Sequence, residues 1–201
     1  MKLSPITLTG RVVRLEPLSE AHVPGLVEIG LDDEIWRYMR YGWIRSEADM
    51  LVWVQHLLQK QEAGTDLPFA VISLADGKPA GATRYMEIHL EHRNLEVGGT
   101  WYGKAYQHTL VNAESKYLLL KHAFEDLGCL RVQLKTDLRN VQSQHAIERL
   151  GAVREGVLRD HVILPDGYVR SSVFYSILAS EWPVVKASLE ARLNKHNTCR
   201  I

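Results

Sequence analysis

Apolar residues along the chain switch between a period near two and a period near 3.6, and the switches mark out the elements. Arg11-Val-Val-Arg-Leu-Glu-Pro17 reads as a first strand. Residues 19–30 carry Val23, Leu26 and Val27 at helical spacing, with Pro24 pointing to a late or loose start. Ser46-Glu-Ala-Asp49 is a capping box, and Met50, Trp53, Val54, Leu57 and Leu58 follow on one face of a helix. Two strand-like runs, 67–74 and 78–87, join through Ala75-Asp76-Gly77, where Asp-Gly is a strong hairpin signal. A third strand of this half spans 95–102. The helix predicted over 111–127 spaces Ala113, Tyr117, Leu120, Phe124 and Leu127 along one side. Leu118, Leu119 and Ala123 lie opposite, so it should be buried on most sides.

The pattern is clearest from 130 to 159. Leu130-Arg-Val-Gln-Leu-Lys-Thr136 alternates as a half-buried strand, and Asn140 stands where an N-cap belongs. Ala146, Ile147 and Leu150 form one apolar face, and Gly151 supplies a left-handed stop. The chain restarts at Ala152-Val153 and continues through Glu155-Gly156-Val157-Leu158-Arg159. A last hairpin turns at Pro165-Asp-Gly-Tyr168 and returns over 173–178. Mixed strands and helices in this order predict an α/β (mixed α+β) domain covering 1–201, with a mainly antiparallel, partly parallel sheet.

Composition narrows the class. A hydrophobic fraction of 46% and a charged fraction of 24% suit a soluble globular chain long enough for a real core. Lys plus Arg equals Asp plus Glu at 24 each, which argues against nucleic acid as the main partner. Cys129 and Cys199 show no disulfide or zinc spacing, so a reducing cytoplasm is expected. No window has signal-peptide or membrane-span character, so no membrane partner is expected. The sequence is silent on oligomeric state, with a homodimer open.

Several residues invite chemistry beside a structural alternative. Gly98-Gly99 within a strand marks a bulge, or a close approach by a neighbour or ligand. Glu96 should share the polar side of that strand with Gly98 and Thr100, opposite Leu95, Val97, Gly99 and Trp101. It is a candidate general base, or a surface glutamate. Lys104-Ala-Tyr-Gln-His-Thr-Leu-Val-Asn112 leads into a helix N-terminus, whose unpaired N–H groups suit a pyrophosphate. Asn112 is one candidate to cap that helix. Asn140 and Ser143 cap a helix or bind a ligand, and Tyr175 is a second candidate acid or a core residue. Trp36, Tyr38, Tyr41 and Trp43 interleave with Arg37, Arg40 and Arg45, in isolation the pattern of a stacking surface for nucleic acid. His89 and His92 have loose metal spacing without an evident third ligand.

Taken together, the 130–159 unit and the glycine-bearing strand before it resemble the GNAT superfamily of acetyl-CoA-dependent N-acetyltransferases. The branch they are most similar to is the RimJ/RimL type, named for ribosomal-protein N-terminal acetylation. The resemblance runs from Arg11-Val-Val-Arg-Leu-Glu-Pro17 to Ser176-Ile-Leu-Ala-Ser-Glu-Trp182. It implies a GNAT-like fold: a central, mixed, mostly antiparallel twisted sheet of about seven strands with helices on both faces. It also implies that the bulged strand, through Val97, Gly99 and Trp101, holds the thioester beside pantetheine. The family's phosphate loop reads Gln/Arg, two residues, Gly, one residue, Gly/Ala. Gln107, His108, Thr109, Leu110, Val111 and Asn112 occupy it here. Leu110 and Asn112 replace the small residues, and His108 stands where this branch usually carries glycine. Asn140 would bond the pantetheine amide, Ser143 would protonate the departing thiolate, Arg149 would reach a nucleotide phosphate, and the aromatic–arginine segment over 36–45 would form the acceptor-side wall. The implied activity is acyl-CoA-dependent N-acylation. Acetyl passes from acetyl-CoA, with coenzyme A as co-substrate and no metal, to a peptide, protein N-terminus or small amine in a ternary complex. The alternative is a catalytically degenerate GNAT fold that binds CoA, a protein or RNA.

Overall fold

The computed structural model describes residues 3–195. Eight strands build one sheet: β1 (Leu8–Thr9), β2 (Val13–Pro17), β3 (Leu67–Ser73), β4 (Pro79–His89), β5 (Asn94–Tyr102), β6 (Arg131–Asp137), β7 (Val153–Ile163) and β8 (Val169–Leu178). Their order is β1-β2-β3-β4-β5-β6-β8-β7, and only β5 and β6 run parallel. The seven expected strands are present. The eighth is the two-residue β1, too short to leave an alternating pattern.

Helices cover both faces. On one face lie α1 (Val23–Gly30), α2 (Asp33–Trp36) and α3 (Glu47–Glu62), over a core that includes Leu26, Trp36, Met50, Trp53 and Trp101. On the other lie α4 (Leu110–Lys121), α5 (Val141–Glu148) and α6 (Trp182–Lys195), packed on Leu15, Phe69, Tyr85, Leu119 and Tyr175. β3 is sandwiched between them, which is why all seven of its residues are buried and its sequence does not alternate. Pro24 sits in the first turn of α1, where its missing N–H costs no hydrogen bond. Ser46 Oγ accepts from Asp49 N at 3.1 Å and starts α3 as its capping box predicts.

Helix α4 differs from expectation at both ends. It begins at Leu110, and its cap is Thr109, whose hydroxyl accepts from Val111 N at 3.2 Å; Asn112 is already inside. Beyond Lys121 the chain widens into a π-type turn over His122–Asp126, closed by Leu127 N donating to His122 O at 3.0 Å. The helix is anchored by buried Glu114, whose carboxylate accepts from the N–H groups of Arg11, Val12 and Val13. Cys129 is buried in the core beside β6, while Cys199 lies outside the described residues.

The feature that positions the site is a split in the sheet. β5 and β6 pair at Asn94↔Arg131, Leu95↔Val132 and Glu96↔Gln133, then part. β5 nevertheless continues to Tyr102 and β6 to Asp137, each still paired on its outer side. The backbone groups of β5 that face the gap therefore have no strand partner, a cost that a structure accepts where something else can bind.

Candidate functional site

A cleft of about 850 Å³ opens at this split, between the parted strands and the N-termini of α4 and α5. Gly98 pairs with Arg84 and Trp101 with Ala82, so Thr83 faces two residues of β5 and the strand bulges at Gly99-Thr100. Gly99 takes φ +57°, and a β-carbon there would stand 3.1 Å from Arg84 Nε. The extra residue overturns the expected alternation. Trp101 falls on the face of Glu96 and Gly98, in the α1–α3 core, while Thr100 turns to the α4 side.

Glu96 is only 2% exposed, so it is not a surface glutamate. Its Oε2 meets Lys135 Nζ at 2.9 Å and accepts from Gln133 Nε2 at 2.8 Å. Oε1 is turned toward Gly98, facing the bulge. On the opposite side of β5, Lys116 of α4 donates to Thr100 Oγ1 at 2.5 Å, and Thr100 Oγ1 lies 2.7 Å from Thr83 Oγ1. Burial pulls the Lys116 ammonium down to about 7, against a smaller upward pull from Glu96.

Most of the other predicted residues gather here. Val97, Gly99, Trp101, Gln107, His108 and Thr109 line the cleft, as do Asn112, Asn140, Ser143 and Arg149. Leu110 and Val111 do not; Val111 packs in the core beneath. Gln107 Nε2 donates to Tyr102 O at 3.0 Å, tying the loop to the end of β5. His108 adopts φ +59°, the left-handed conformation that glycine takes freely, and its ring meets the Gln142 amide at 3.3 Å. That contact links the entries of α4 and α5 across the cleft mouth. Asn140 Oδ1 caps α5 by accepting from Ser143 N at 3.0 Å, which leaves its amide N–H₂ to donate. Tyr175 is buried away from the cleft and donates to Glu148 Oε1 at 3.1 Å.

The aromatic–arginine segment divides. Trp36 belongs to the core, with Nε1 donating to Gly30 O at 2.7 Å. Trp43 is exposed and stacks with Arg45, itself paired to Asp33. Only Tyr38, Tyr41, Arg37 and Arg40 reach the cleft. They meet two buried arginines from the sheet. Arg84 lies 3.0 Å from Asp66 and stacks on Tyr41, while its Nη1 has no hydrogen-bond partner among the described residues. Arg170 donates to Ser172 Oγ at 3.0 Å and to Tyr38 O at 3.1 Å, and burial lowers its pKa. His89 and His92 sit at an exposed turn with ring centroids 6.3 Å apart. Among the described residues, no group of three His, Cys, Asp or Glu gathers to hold a metal.

Charge is concentrated here. Twelve Lys, Arg, Asp and Glu side chains line the cleft, and ten are Lys or Arg; the acids are Glu34 and Glu96. A chain with zero net charge thus focuses a positive field into one concavity, suited to a polyanionic ligand. The sequence reading missed Lys116, Lys135, Arg84 and Arg170. For Lys116 a signal was present: it lies one turn after Asn112 on a helix otherwise read as buried.

Among the described residues no helix is long and apolar enough to cross a membrane. The family profile described as an acetyltransferase (GNAT) domain matches residues 13–153. The crystal structure of a protein from T. thermophilus, provisionally named an acetyltransferase, superposes with a TM-score of 0.87 at 43% identity, covering 96% of this chain and 100% of that one. YdaF of Bacillus subtilis (strain 168), provisionally named a ribosomal N-acetyltransferase, is 29% identical over 109 residues, 54% of this chain and 58% of that protein's length. RimJ of Mycobacterium smegmatis, solved in complex with CoA-disulfide, shares the fold with a TM-score of 0.80 at 22% identity, covering 94% and 95% of the two chains.

Proposed function

The chain belongs to the GNAT acetyltransferase family, and on that premise we propose that it moves an acetyl group from acetyl-CoA to a primary amine, by direct attack within a ternary complex. The observation that carries this reading is the unpaired edge of β5 at its bulge, set in a cleft lined mostly by cations. Backbone N–H groups along such an edge are suited to the carbonyl oxygen as it gains charge.

The residues present fit the CoA moiety. Leu110 and Val111 do not line the cleft, so their bulk leaves the main-chain N–H groups at the start of α4 accessible. Those groups, with Arg149, suit phosphate oxygens. Asn140 keeps an amide donor for the pantetheine arm. Ser143, in the first turn of α5, brings a hydroxyl to the same cleft. An attacking ammonium must lose a proton, and Glu96 Oε1, facing Gly98, is the base we assign. Tyr38, Tyr41, Arg40, Arg84 and Arg170 form the acceptor side, on the face of the sheet that carries Glu96. YdaF is named for a ribosomal acceptor; here the acceptor is a peptide, a protein N-terminus or a small amine, met in the cytoplasm.

Calorimetry with CoA tests the premise of binding. Free-thiol release from acetyl-CoA with a panel of peptide and small-amine acceptors tests turnover. Absence of CoA binding removes the whole reading. Binding without thiol release on any acceptor leaves a CoA-binding protein in place of an enzyme.

A further inference from the structure

Lys116 and Arg170 are buried cations of the cleft with no carboxylate within ion-pairing distance among the described residues; Arg170 has two hydrogen-bond acceptors, whereas Lys116 has one. It is 6% exposed, and its only hydrogen bond among those residues goes to the neutral hydroxyl of Thr100. The nearest acid by influence, Glu96, gives its Oε2 to Lys135 and Gln133. Burying an ammonium without a counter-charge costs several kcal/mol. Thr100 can accept from Lys116 while its own proton goes to Thr83, but a neutral hydroxyl supplies no counter-charge.

The place of this cation is specific. Thr100 belongs to the bulge, on the stretch of β5 that has lost its neighbouring strand. A ligand bonded to that open edge would have Lys116 on its α4 side and Glu96 on the opposite face. Charged groups lining the same cleft from adjoining elements are Glu96 and Lys135 on the sheet, Arg149 after α5, Arg192 on α6, and titratable His108 before α4.

We infer that Lys116 is a thiolate-binding residue, the cation and proton donor that receives the CoA sulfur when the acetyl group leaves it. This rests on the acetyl-CoA reading above and assigns to Lys116 the role the resemblance gives Ser143. The N–C bond forms, the C–S bond breaks, and the sulfur takes a proton from the Lys116 ammonium. Glu96 holds the proton lost by the attacking amine, and solvent exchange returns one proton to Lys116 and removes one from Glu96. No other reactant is required. An ammonium lowered to about 7 gives up its proton to a thiolate more readily than an ordinary lysine does.

The test measures kcat against pH, with acetyl-CoA and with an acyl donor whose leaving thiol is more acidic, for the parent, Lys116→Met, Lys116→Gln and Ser143→Ala. In either Lys116 variant kcat should fall by about 10²-fold while CoA affinity changes little, and the more acidic leaving thiol should recover most of that loss. The parent's kcat should fall as pH rises through about 7, where the ammonium is lost, and that limb should be missing in the Lys116 variants and kept in Ser143→Ala. Side-chain NMR of the lysines, read without turnover, should show one group titrating near 7 in the parent and none in Lys116→Met. Parental turnover in the Lys116 variants, a loss that the more acidic thiol does not recover, or no lysine titrating near 7 overturns the inference while CoA binding stands. If the parent binds no CoA, the acetyl-CoA reading itself fails and takes this role with it.

Discussion

Gly98 and Glu96 exclude each other's enlargement: a β-carbon on residue 98 would stand 2.8 Å from Glu96 Oε1. With Oε2 held by Lys135 and Gln133, the carboxylate has little room to retreat. Gly98→Ala should therefore lower kcat by at least about tenfold by displacing the base, while CoA affinity stays within a few-fold. Glu96→Gln should lower kcat by about 10²–10⁴-fold. Steady-state kinetics beside calorimetry separates the two parameters. Full turnover in both variants would remove Glu96 from the mechanism.

Asn140 combines a structural bond and a ligand bond that substitution can separate. Its Oδ1 caps α5 through Ser143 N. Asn140→Asp keeps an acceptor for the cap but loses the amide donor. It should fold with nearly parental stability and bind CoA about tenfold more weakly. Asn140→Ala should lose both, with about 1 kcal/mol of stability. Thermal unfolding and calorimetry on the pair give the answer; equal CoA affinity in all three proteins would leave Asn140 a cap alone.

His108 holds a left-handed conformation at φ +59°, which costs a residue with a β-carbon about 1–2 kcal/mol. His108→Gly removes that strain and adds unfolded-state freedom worth about half as much. The expected net effect is a gain of up to about 1 kcal/mol, or about 2–4 °C in Tm for a domain of this size. Since the phosphate loop presents its main chain, CoA affinity should hold. A lower Tm would mean that the Gln142 contact outweighs the strain.

Glu114 is a deeper structural commitment than its helical position suggests. One carboxylate accepts three backbone N–H groups at the entry to β2, and a β-carbon on Gly10 would collide with its Cδ. Glu114→Gln loses charge-assisted bonds and puts a donor among donors, at a cost of about 2–4 kcal/mol. Gly10→Ala should destabilise as well by displacing the carboxylate. Denaturant titration measures both; unchanged midpoints would contradict the role.

Lys116 predicts how stability varies with pH. Its ammonium titrates near 7 in the folded protein and near 10.4 when unfolded. Below 7 both states carry the proton, and the full desolvation cost is present. Between about 7 and 10.4 the unfolded chain holds a proton that the folded one lacks, so stability rises with pH, by at most about 1.4 kcal/mol per unit. Lys116→Met should thus be more stable than the parent at pH 6, by on the order of 2 kcal/mol, with the difference shrinking toward pH 10. A difference that does not depend on pH would mean Lys116 is not desolvated as the fold implies.

Local signals carried far in this chain where they were complete in themselves. Ser46, Asp76-Gly77 and Asp166-Gly167 specify their turns and caps through bonds spanning a few residues, and they stand where the pattern places them. What the pattern hides depends on events between distant segments. The bulge at Gly99-Thr100 shifts the facing of Trp101 and Thr100, so strict alternation misassigns them. Thr109 caps α4 ahead of Asn112 because the loop is pulled in by Gln107 and Tyr102. Arg84 and Arg170 look like ordinary strand residues until the α2–α3 segment folds over them and contributes Tyr41 and Tyr38 O.

The three residue pairs that join β5 to β6 also make the sheet two panels sharing a short seam. One panel carries β1 to β5, the other β6, β8 and β7. Beyond Glu96↔Gln133 the rungs are missing, and a ligand lying in the gap would supply them. Occupancy then becomes a mechanical property of the fold. Filling the gap would stiffen the join between the panels, which otherwise rests on that short seam and on the shared core beneath it. Slower amide exchange along both sides of the seam is the signature of that change.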